Sequence, residues 1–383
     1  MPPIREEARP TIDHPWRRVD LDESTWREAE SEGRIQLDLF EDVPFYRFAR
    51  NVRGVARGTV VLPAGVVRDF PRMPRILHLA SGIRKTMHGP YRIEEKVDGY
   101  NVRIVRVGGR AACFSRSGHV CPFATDRLRD VPSFDRFVHA HPDRVVCVEV
   151  AGPGSPYDSA SPPWIASDIA MVAFDVARLD TGWIDPPDAR KEILARSGVP
   201  LVRDLGVFGP DDVPAIRRLV DRIDAEGGEG IVLKTLDGRE RVKYACLGSH
   251  LRDLRVSTRL LGGIQRAQLV NHLVAAGIAL HEWKDGGGRA EREAVGSALV
   301  DAMLDAIGQS AEGMIEERHE IRMHEDANVD DLLAIIETGS DIQVRVASRE
   351  RDEDGMVRVV FFRRHLRPTG YFRSRMAGGK FVD

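Results

Sequence analysis

The pattern of apolar and polar positions divides the chain into a strand-rich body and a mixed C-terminal part. Short runs of β-branched residues bounded by Gly and Pro recur through residues 69–245 and are typical of antiparallel strands. The predicted strands of this body are 91–96, 102–107, 111–114, 144–150 and 169–176. Apolar residues at helical spacing predict two helices between them, one from about 187 to 198 and one over 212–225.

The pattern changes beyond residue 246. Helical spacing predicts a helix around 269–278, and a glycine-rich loop follows at 284–289. A long amphipathic helix is then expected over 290–322, and a short one opening at Asp330. Strand patterns return at 342–347 and 357–362, joined by a charged turn.

These changes predict an α+β protein of four modules. With 383 residues the chain is too long for one ordinary core. The expected modules are an N-terminal accessory module (1–68), the strand-rich body (69–245), a helical module (246–320) and a C-terminal module (321–383).

Composition narrows the class of protein. The net charge of about −3 excludes a bulk polycation, so any nucleic-acid contact must come from local basic patches. Arginines alternate with aromatic residues at 45–57 and 363–375, which suits either an RNA backbone contact or, equally, a solvated surface or tail. No apolar run approaches the ~20 residues that span a bilayer, and the first residues lack an apolar signal core, so we expect a cytoplasmic protein.

The candidate chemistry begins at Lys96. This lysine ends a predicted strand and is followed by Asp98 and Gly99, which place its amine at a tight turn. Strand alternation puts Glu94 on the same face. Glu149 lies within the apolar run 144–150, where a carboxylate is costly unless it is paired or binds a metal.

A second group of charged residues surrounds a predicted hairpin. Glu229, Lys234 and Lys243 flank two strand patterns joined by Asp237-Gly238, a strong hairpin signal. Carboxylates hold Mg²⁺ well, and lysines neutralise the charge that develops on a phosphorus under attack. A lysine nucleophile must be uncharged although its free pKa is ~10.4, and burial with neighbouring cations lowers that pKa. The set therefore fits phosphoryl or nucleotidyl transfer.

The order of these motifs resembles a known superfamily. Lys96-Val-Asp-Gly, Glu149, Phe174-Asp175, Glu229-Gly-Ile-Val-Leu-Lys and Val242-Lys243 are similar to the motifs of the covalent nucleotidyltransferases, which include ATP-dependent ligases and messenger-RNA capping enzymes. The stretch 94–103 resembles the archaeal-type, homodimeric ATP-dependent RNA ligases, which can circularise RNA. The resemblance implies an antiparallel-sheet nucleotidyltransferase core of the ATP-grasp-like ligase adenylation kind at 69–245, with an N-terminal accessory module and C-terminal helical and strand modules used in dimerisation.

The resemblance also implies a reaction. A lysine attacks the α-phosphate of ATP and forms lysyl-AMP, AMP moves to an RNA 5′-phosphate, and a 3′-hydroxyl displaces AMP to seal the strand. ATP and Mg²⁺ or Mn²⁺ are the implied cofactors. The implied partners are RNA with 5′-phosphate and 3′-hydroxyl ends and a second copy of the chain.

The site residues follow from the same resemblance. The implied catalytic residues are Lys96, which is the nucleophile, and Glu149, Glu229 and Lys243. Glu149 and Glu229 would engage the metal or the ribose–phosphate, while Lys234 and Lys243 would contact the α-phosphate. The implied cofactor-binding residues are Glu94 facing the base, Phe174 stacking on adenine, Arg103 and Arg116 on ribose or phosphate, Val97, and Lys234.

Other interpretations stay open. The chain could be a DNA ligase, a capping-type guanylyltransferase, or an RNA-binding relative without activity. Asn101 stands five residues after Lys96, where DNA ligases usually carry Arg, and no recognisable OB-fold module follows Lys243; both features disfavour the first two. Glu149 and Glu229 could instead be ion-pair partners, and Phe174 a core residue. Arg116 could simply cap a loop.

Overall fold

The structure is a computed structural model that describes residues 12–70, 72–157, 161–283, 288–338 and 341–380. Within these ranges the strands are β1 (Ile35–Phe40), β2 (Val43–Phe48), β3 (Val60–Leu62), β4 (Gly65–Val67), β5 (Tyr91–Lys96), β6 (Tyr100–Val107), β7 (Arg110–Ser115), β8 (Arg144–Ala151), β9 (Ala170–Arg178), β10 (Asp204–Phe208), β11 (Gly230–Thr235), β12 (Arg241–Ala245), β13 (Ile315–Met323), β14 (Ile342–Arg351) and β15 (Val357–His365). The α-helices in the same ranges are α1 (Glu23–Ser31), α2 (Leu79–Thr86), α3 (Pro122–Arg127), α4 (Pro132–Ala140), α5 (Pro187–Arg196), α6 (Val213–Ala225), α7 (Leu247–Arg259), α8 (Arg266–Trp283), α9 (Arg289–Glu312), α10 (Asp326–Glu337) and α11 (Leu366–Met376).

The chain folds into two compact units that interleave along the sequence. The first unit comprises residues 1–72, 100–150 and 171–201, and the second comprises 73–99, 151–170 and 202–383. The four modules predicted from the sequence divide the chain differently, and their boundaries stay predictions.

The first unit contains two four-stranded sheets that share a core. Their strand orders are β1-β2-β3-β4 and β7-β6-β8-β9. Phe45 and Val60 of the first sheet pack with Val105 and Phe114 of the second, and the rings of Phe45 and Phe114 meet edge to face at 5.3 Å. In the second sheet Asn101 of β6 lies opposite Glu149 of β8.

The second unit is built on an antiparallel sheet with one apolar and one charged face. Its order is β10-β5-β11-β12. Alternation along β5 and β11 points Tyr91, Ile93, Ile231 and Leu233 to one side. There they pack against the apolar stripes of α2 and α6, formed by Leu79, Ile83, Ile216, Leu219, Val220 and Ile223. The other face is left to charged side chains.

The C-terminal part of the second unit corrects one prediction. The single helix expected over 290–322 is wrong, because α9 ends at Glu312 and β13 begins at Ile315. Along β13 every second residue from His319 to Met323 is buried while charged residues alternate with them, and the strand pairs with β15 in the sheet β13-β15-β14. The many charges of this strand hide its two-residue period. The following helix, α10, also begins at Asp326, before the expected Asp330.

The two basic stretches are ordered parts of the fold. Arg47 is buried and its Nε lies 2.9 Å from Asp38. Residues 363–375 belong to β15 and α11, so the interpretation as a solvated tail is wrong. Arg364 pairs with Glu316 at 2.6 Å, and Arg373 donates to the carbonyl of Ser310 at 2.9 Å.

Residues 284–287 of the predicted loop lie outside the described ranges. Among the helices that the structure describes, none combines the length and the apolar character needed to cross a bilayer.

Candidate active site

Lys96 ends β5 on the charged face of the second unit's sheet. It lies directly opposite Gly230, the first residue of β11, and Gly230 in turn lies opposite Ala245 of β12. Gly230 has φ +152°, and a Cβ there would come within 2.1 Å of the Tyr244 carbonyl oxygen. Only glycine therefore fits between the two strands. Glu229, which precedes it, is held beside Lys96 by this arrangement.

The Nζ of Lys96 contacts Oε1 of Glu229, and both side chains are largely buried. Burial raises the pKa of Glu229 to about 7, an effect that the charge of Lys96 opposes and that of Asp98 reinforces. Among the described residues, the buried Oε2 of Glu229 has no hydrogen-bond partner. The carboxylate thus offers one oxygen to the amine and a second to a metal, a ribose hydroxyl or a proton.

A second lysine–carboxylate pair lies further along the same strands. Oε2 of Glu94 in β5 is 2.8 Å from Nζ of Lys234 in β11. Lys243 of β12 lies opposite Val232, which is itself opposite Glu94, so Lys243 projects from the same face. Val97, after the strand end, is buried.

The other predicted site residues belong to the first unit. Glu149 shares a face of its sheet with Cys147 and Arg103. Arg103 is fully buried and donates to the backbone carbonyls of Arg68 (2.8 Å), Gly58 (2.9 Å) and Ser115 (2.6 Å). These bonds give Arg103 a structural role, and its predicted contact with ribose or phosphate stays a prediction.

Phe174 and Arg116 also have defined places in this unit. The ring of Phe174 packs edge to face with Phe70 at 5.3 Å, beside a small cluster that includes Cys147 and Ile184. This contact supports the interpretation as a core residue, while stacking on adenine stays a prediction. Arg116 is exposed in the turn after β7.

The structure brings together one half of the predicted set. On the charged face of one sheet it places Glu94, Lys96, Glu229, Lys234 and Lys243. Within the described ranges, no group of three or more acidic, histidine or cysteine side chains could by itself hold a metal. Mg²⁺ commonly binds through one or two carboxylates plus substrate phosphates, and the open oxygen of Glu229 fits that kind of site.

Two arginines near this face were missed by sequence analysis. Arg252 of α7 lies 3.8 Å from Asp98, two residues after Lys96. Arg75 forms a parallel bridge with Lys243. Neither belongs to a motif, and nothing in the local sequence signals a pairing between positions so far apart in the chain.

Two family models match parts of the chain. The family model described as RNA ligase matches residues 89–245, and the model described as Ligase Pab1020 C-terminal region matches residues 256–379. A protein of Methanocaldococcus jannaschii that is named as uncharacterised is 24% identical over 314 residues, covering 78% of each chain.

Solved structures share the fold over nearly the whole chain. An archaeal ATP-dependent RNA ligase is 24% identical with a TM-score of 0.88, covering 98% of this chain and 100% of its own. A putative ATP-dependent DNA ligase from Aquifex aeolicus is 26% identical with a TM-score of 0.87, covering 94% of this chain and 100% of its own. The predicted combination of helices with antiparallel sheets is confirmed. The two family models together span most of the chain: residues 89–245 belong to the RNA ligase family, and residues 256–379 belong to the Pab1020-type ligase C-terminal region.

Proposed function

We propose that this RNA ligase joins RNA 5′-phosphate and 3′-hydroxyl ends, and can circularise RNA, with Lys96 as its nucleophile. Nζ of Lys96 bonds to the α-phosphorus of ATP and pyrophosphate leaves. The RNA 5′-phosphate then takes the AMP from Lys96, which regains its amine. Finally the 3′-hydroxyl bonds to the 5′-phosphorus, loses its proton, and AMP leaves.

The contact between Lys96 and Glu229 carries this proposal. An ammonium group has no lone pair, so Lys96 must lose a proton before it attacks. A carboxylate with a pKa of about 7 is a suitable acceptor at neutral pH, and it touches the amine that must be deprotonated. The Lys96 side chain is 16% exposed, so it is not fully enclosed by the protein.

The remaining roles follow from the resemblance to the covalent nucleotidyltransferases. Lys234 and Lys243 would neutralise and orient the α-phosphate from the charged face of the second unit's sheet, and Glu94 would face the base. Glu149 and Glu229 would hold Mg²⁺ or Mn²⁺, which supplies Lewis-acid stabilisation of phosphoryl oxygens when bound. Val97, Arg103, Arg116 and Phe174 would contact the nucleoside.

A homodimer is part of the proposal, and exposed apolar stripes on α8 and α9 support it. On α8 the exposed residues are Val270, Leu273 and Val274, and on α9 they are Val300, Met303 and Leu304. Both sets follow i, i+3, i+4 spacing, which forms one stripe on each helix. The opposite faces bury alanines, namely Ala275, Ala276, Ala279, Ala298, Ala302 and Ala306. Contiguous apolar stripes of this kind mark protein interfaces.

A labelling and sealing experiment tests the function. The chain is incubated with α-labelled ATP or GTP, and then with matched RNA or DNA strands that carry 5′-phosphate and 3′-hydroxyl ends. We expect label from ATP alone, with RNA converted to joined and circular products. Label from GTP alone would indicate a capping-type enzyme. Sealing of DNA in preference to RNA would instead support a DNA ligase, the activity named for the Aquifex aeolicus structure.

A further inference from the structure

Arg75 is fixed beside the active-site lysines by backbone pairing. The N–H of Ile76 donates to the carbonyl of Lys243 at 2.9 Å, and the N–H of Lys243 donates to the carbonyl of Pro74 at 2.9 Å. These bonds make Arg75 and Lys243 a parallel pair on the outer edge of β12. Paired residues of neighbouring strands project to the same face. Arg75 therefore projects from the face that carries Lys96, Glu94 and Lys243.

The counter-ion of Arg75 is distant and shared. Nη1 of Arg75 lies 3.6 Å from Oδ2 of Asp253 on α7, and no other carboxylate of the described residues lies within 4 Å of it. That distance exceeds a good hydrogen bond. Asp253 is also 3.3 Å from Nδ1 of His272. A guanidinium has five N–H donors, so this single long contact leaves most of them for a ligand.

The positive charge of Arg75 also affects the pKa values of two nearby groups, Glu229 and His250. Arg75 is among the groups that hold the pKa of Glu229 below the value that burial alone would give. His250, which is buried on α7, has its pKa lowered to about 4, first by burial and then by Arg75. His250 is therefore neutral at physiological pH and does not compete for an anion. Of these two residues, Arg75 is the one that carries a positive charge.

We propose that Arg75 is a phosphate-binding residue of the active site, an inference that rests on the proposed ligase function. Its planar fork matches two oxygens of one phosphate, a stronger contact than the long one to Asp253. The phosphate has two possible sources, the ATP triphosphate that releases pyrophosphate and the 5′-phosphate of the RNA. Binding of either moves the guanidinium from Asp253 to the ligand.

Step-resolved kinetics of the full chain test this role and separate the two sources. One arm measures labelling of the wild type, R75A and R75K as a function of ATP concentration. The other arm measures AMP transfer from pre-adenylated protein as a function of 5′-phosphorylated RNA concentration.

R255A is the matched control, because Arg255 is an exposed arginine on α7. Loss of a charge-assisted contact predicts a rise in KM of about 10- to 100-fold for R75A in one arm. R75K keeps part of the affinity and R255A stays within about twofold.

The outcomes are distinct. A KM effect in the ATP arm assigns Arg75 to the triphosphate, and one in the RNA arm assigns it to the 5′-phosphate. An unchanged KM in both arms overturns the inference. So does a fall in kcat alone that accompanies a lower Tm in both R75A and R75K, because that pattern marks a structural link between α7 and β12. If R75A does not fold, R75K is compared with R75Q in the same arms. A wild-type chain that takes no label from ATP overturns the proposed function itself.

Discussion

Lys234 and Glu94 form a buried ion pair across β11 and β5, with Nζ 2.8 Å from Oε2 and only 2% and 3% of the two side chains exposed. The resemblance to the covalent nucleotidyltransferases implies separate contacts for them, Lys234 with the α-phosphate and Glu94 with the base. In the structure each is the other's counter-ion. A charge that is buried away from water is costly unless an opposite charge lies beside it. The two side chains therefore act as one unit in any contact with ATP.

The pair predicts a non-additive stability effect. Lys234→Met leaves the Glu94 carboxylate buried without this ammonium, which should lower the free energy of unfolding by about 3–5 kcal/mol. Adding Glu94→Gln should recover much of that loss, because the uncompensated charge is gone. Urea unfolding of both single variants and the double variant measures the coupling. Lys85→Met, at an exposed lysine of α2, is the control. Additive losses in the double variant would contradict a paired role.

Removing the nucleophile should separate chemistry from stability. Lys96→Ala should abolish transfer of label from α-labelled ATP to the protein, since Lys96 is the lysine that contacts Glu229 among the residues the structure describes. The fold should tolerate this change, because Glu229 already has a pKa of about 7 and can become a neutral acid when Lys96 is lost. Mass spectrometry should locate AMP on the peptide that contains Lys96 in the wild type and in Lys85→Ala. Labelled Lys96→Ala would refute the assignment.

Glu229 should give the first step its pH dependence. As a proton acceptor it must be ionised, so the rate of lysine labelling should rise as the pH passes through about 7. Glu229→Gln should slow the reaction and remove this inflection. Glu240→Gln, at an exposed glutamate of the β11–β12 hairpin, should leave the profile unchanged. An identical inflection in Glu229→Gln would show that another group titrates.

Glu229 should also make the stability of the fold depend on pH. The free energy of unfolding should fall as the pH rises, whereas the labelling rate should increase. The pKa of Glu229 is raised from 4.5 to about 7, so between these values the folded chain holds a proton that the unfolded chain has released. The free energy of unfolding of the wild type should therefore fall, relative to Glu229→Gln, as the pH rises from about 4.5 to 7. The full difference is on the order of 3 kcal/mol. Denaturant unfolding at several pH values measures it, and a difference that grows with pH would have the wrong sign.

What the sequence could predict depended on local pattern. Lys96 at a strand end and the hairpin that carries Lys234 and Lys243 follow from alternation and from the Asp237-Gly238 turn, both of which act over a few residues. The pairing of Arg75 with Lys243 joins segments far apart in sequence, so no local pattern encodes it. The burial of Lys234 escaped prediction for the same reason. Charges spaced along 315–323 satisfy a helical and a strand pattern alike, and only the pairing with β15 decides between them.

The stripes on α8 and α9 predict a dimer that can be broken without loss of the nucleophile. Val270→Glu combined with Leu304→Glu places a charge on each stripe, and burying unpaired carboxylates in an interface costs several kcal/mol per ion. Light scattering after gel filtration should show the mass of two chains for the wild type and of one for the double variant. Val346→Glu, which charges an exposed apolar position of β14, should stay dimeric. Labelling of Lys96 should persist in the monomer, because Lys96 and Glu229 come from one chain. A double variant that keeps the dimeric mass would exclude these stripes as the interface.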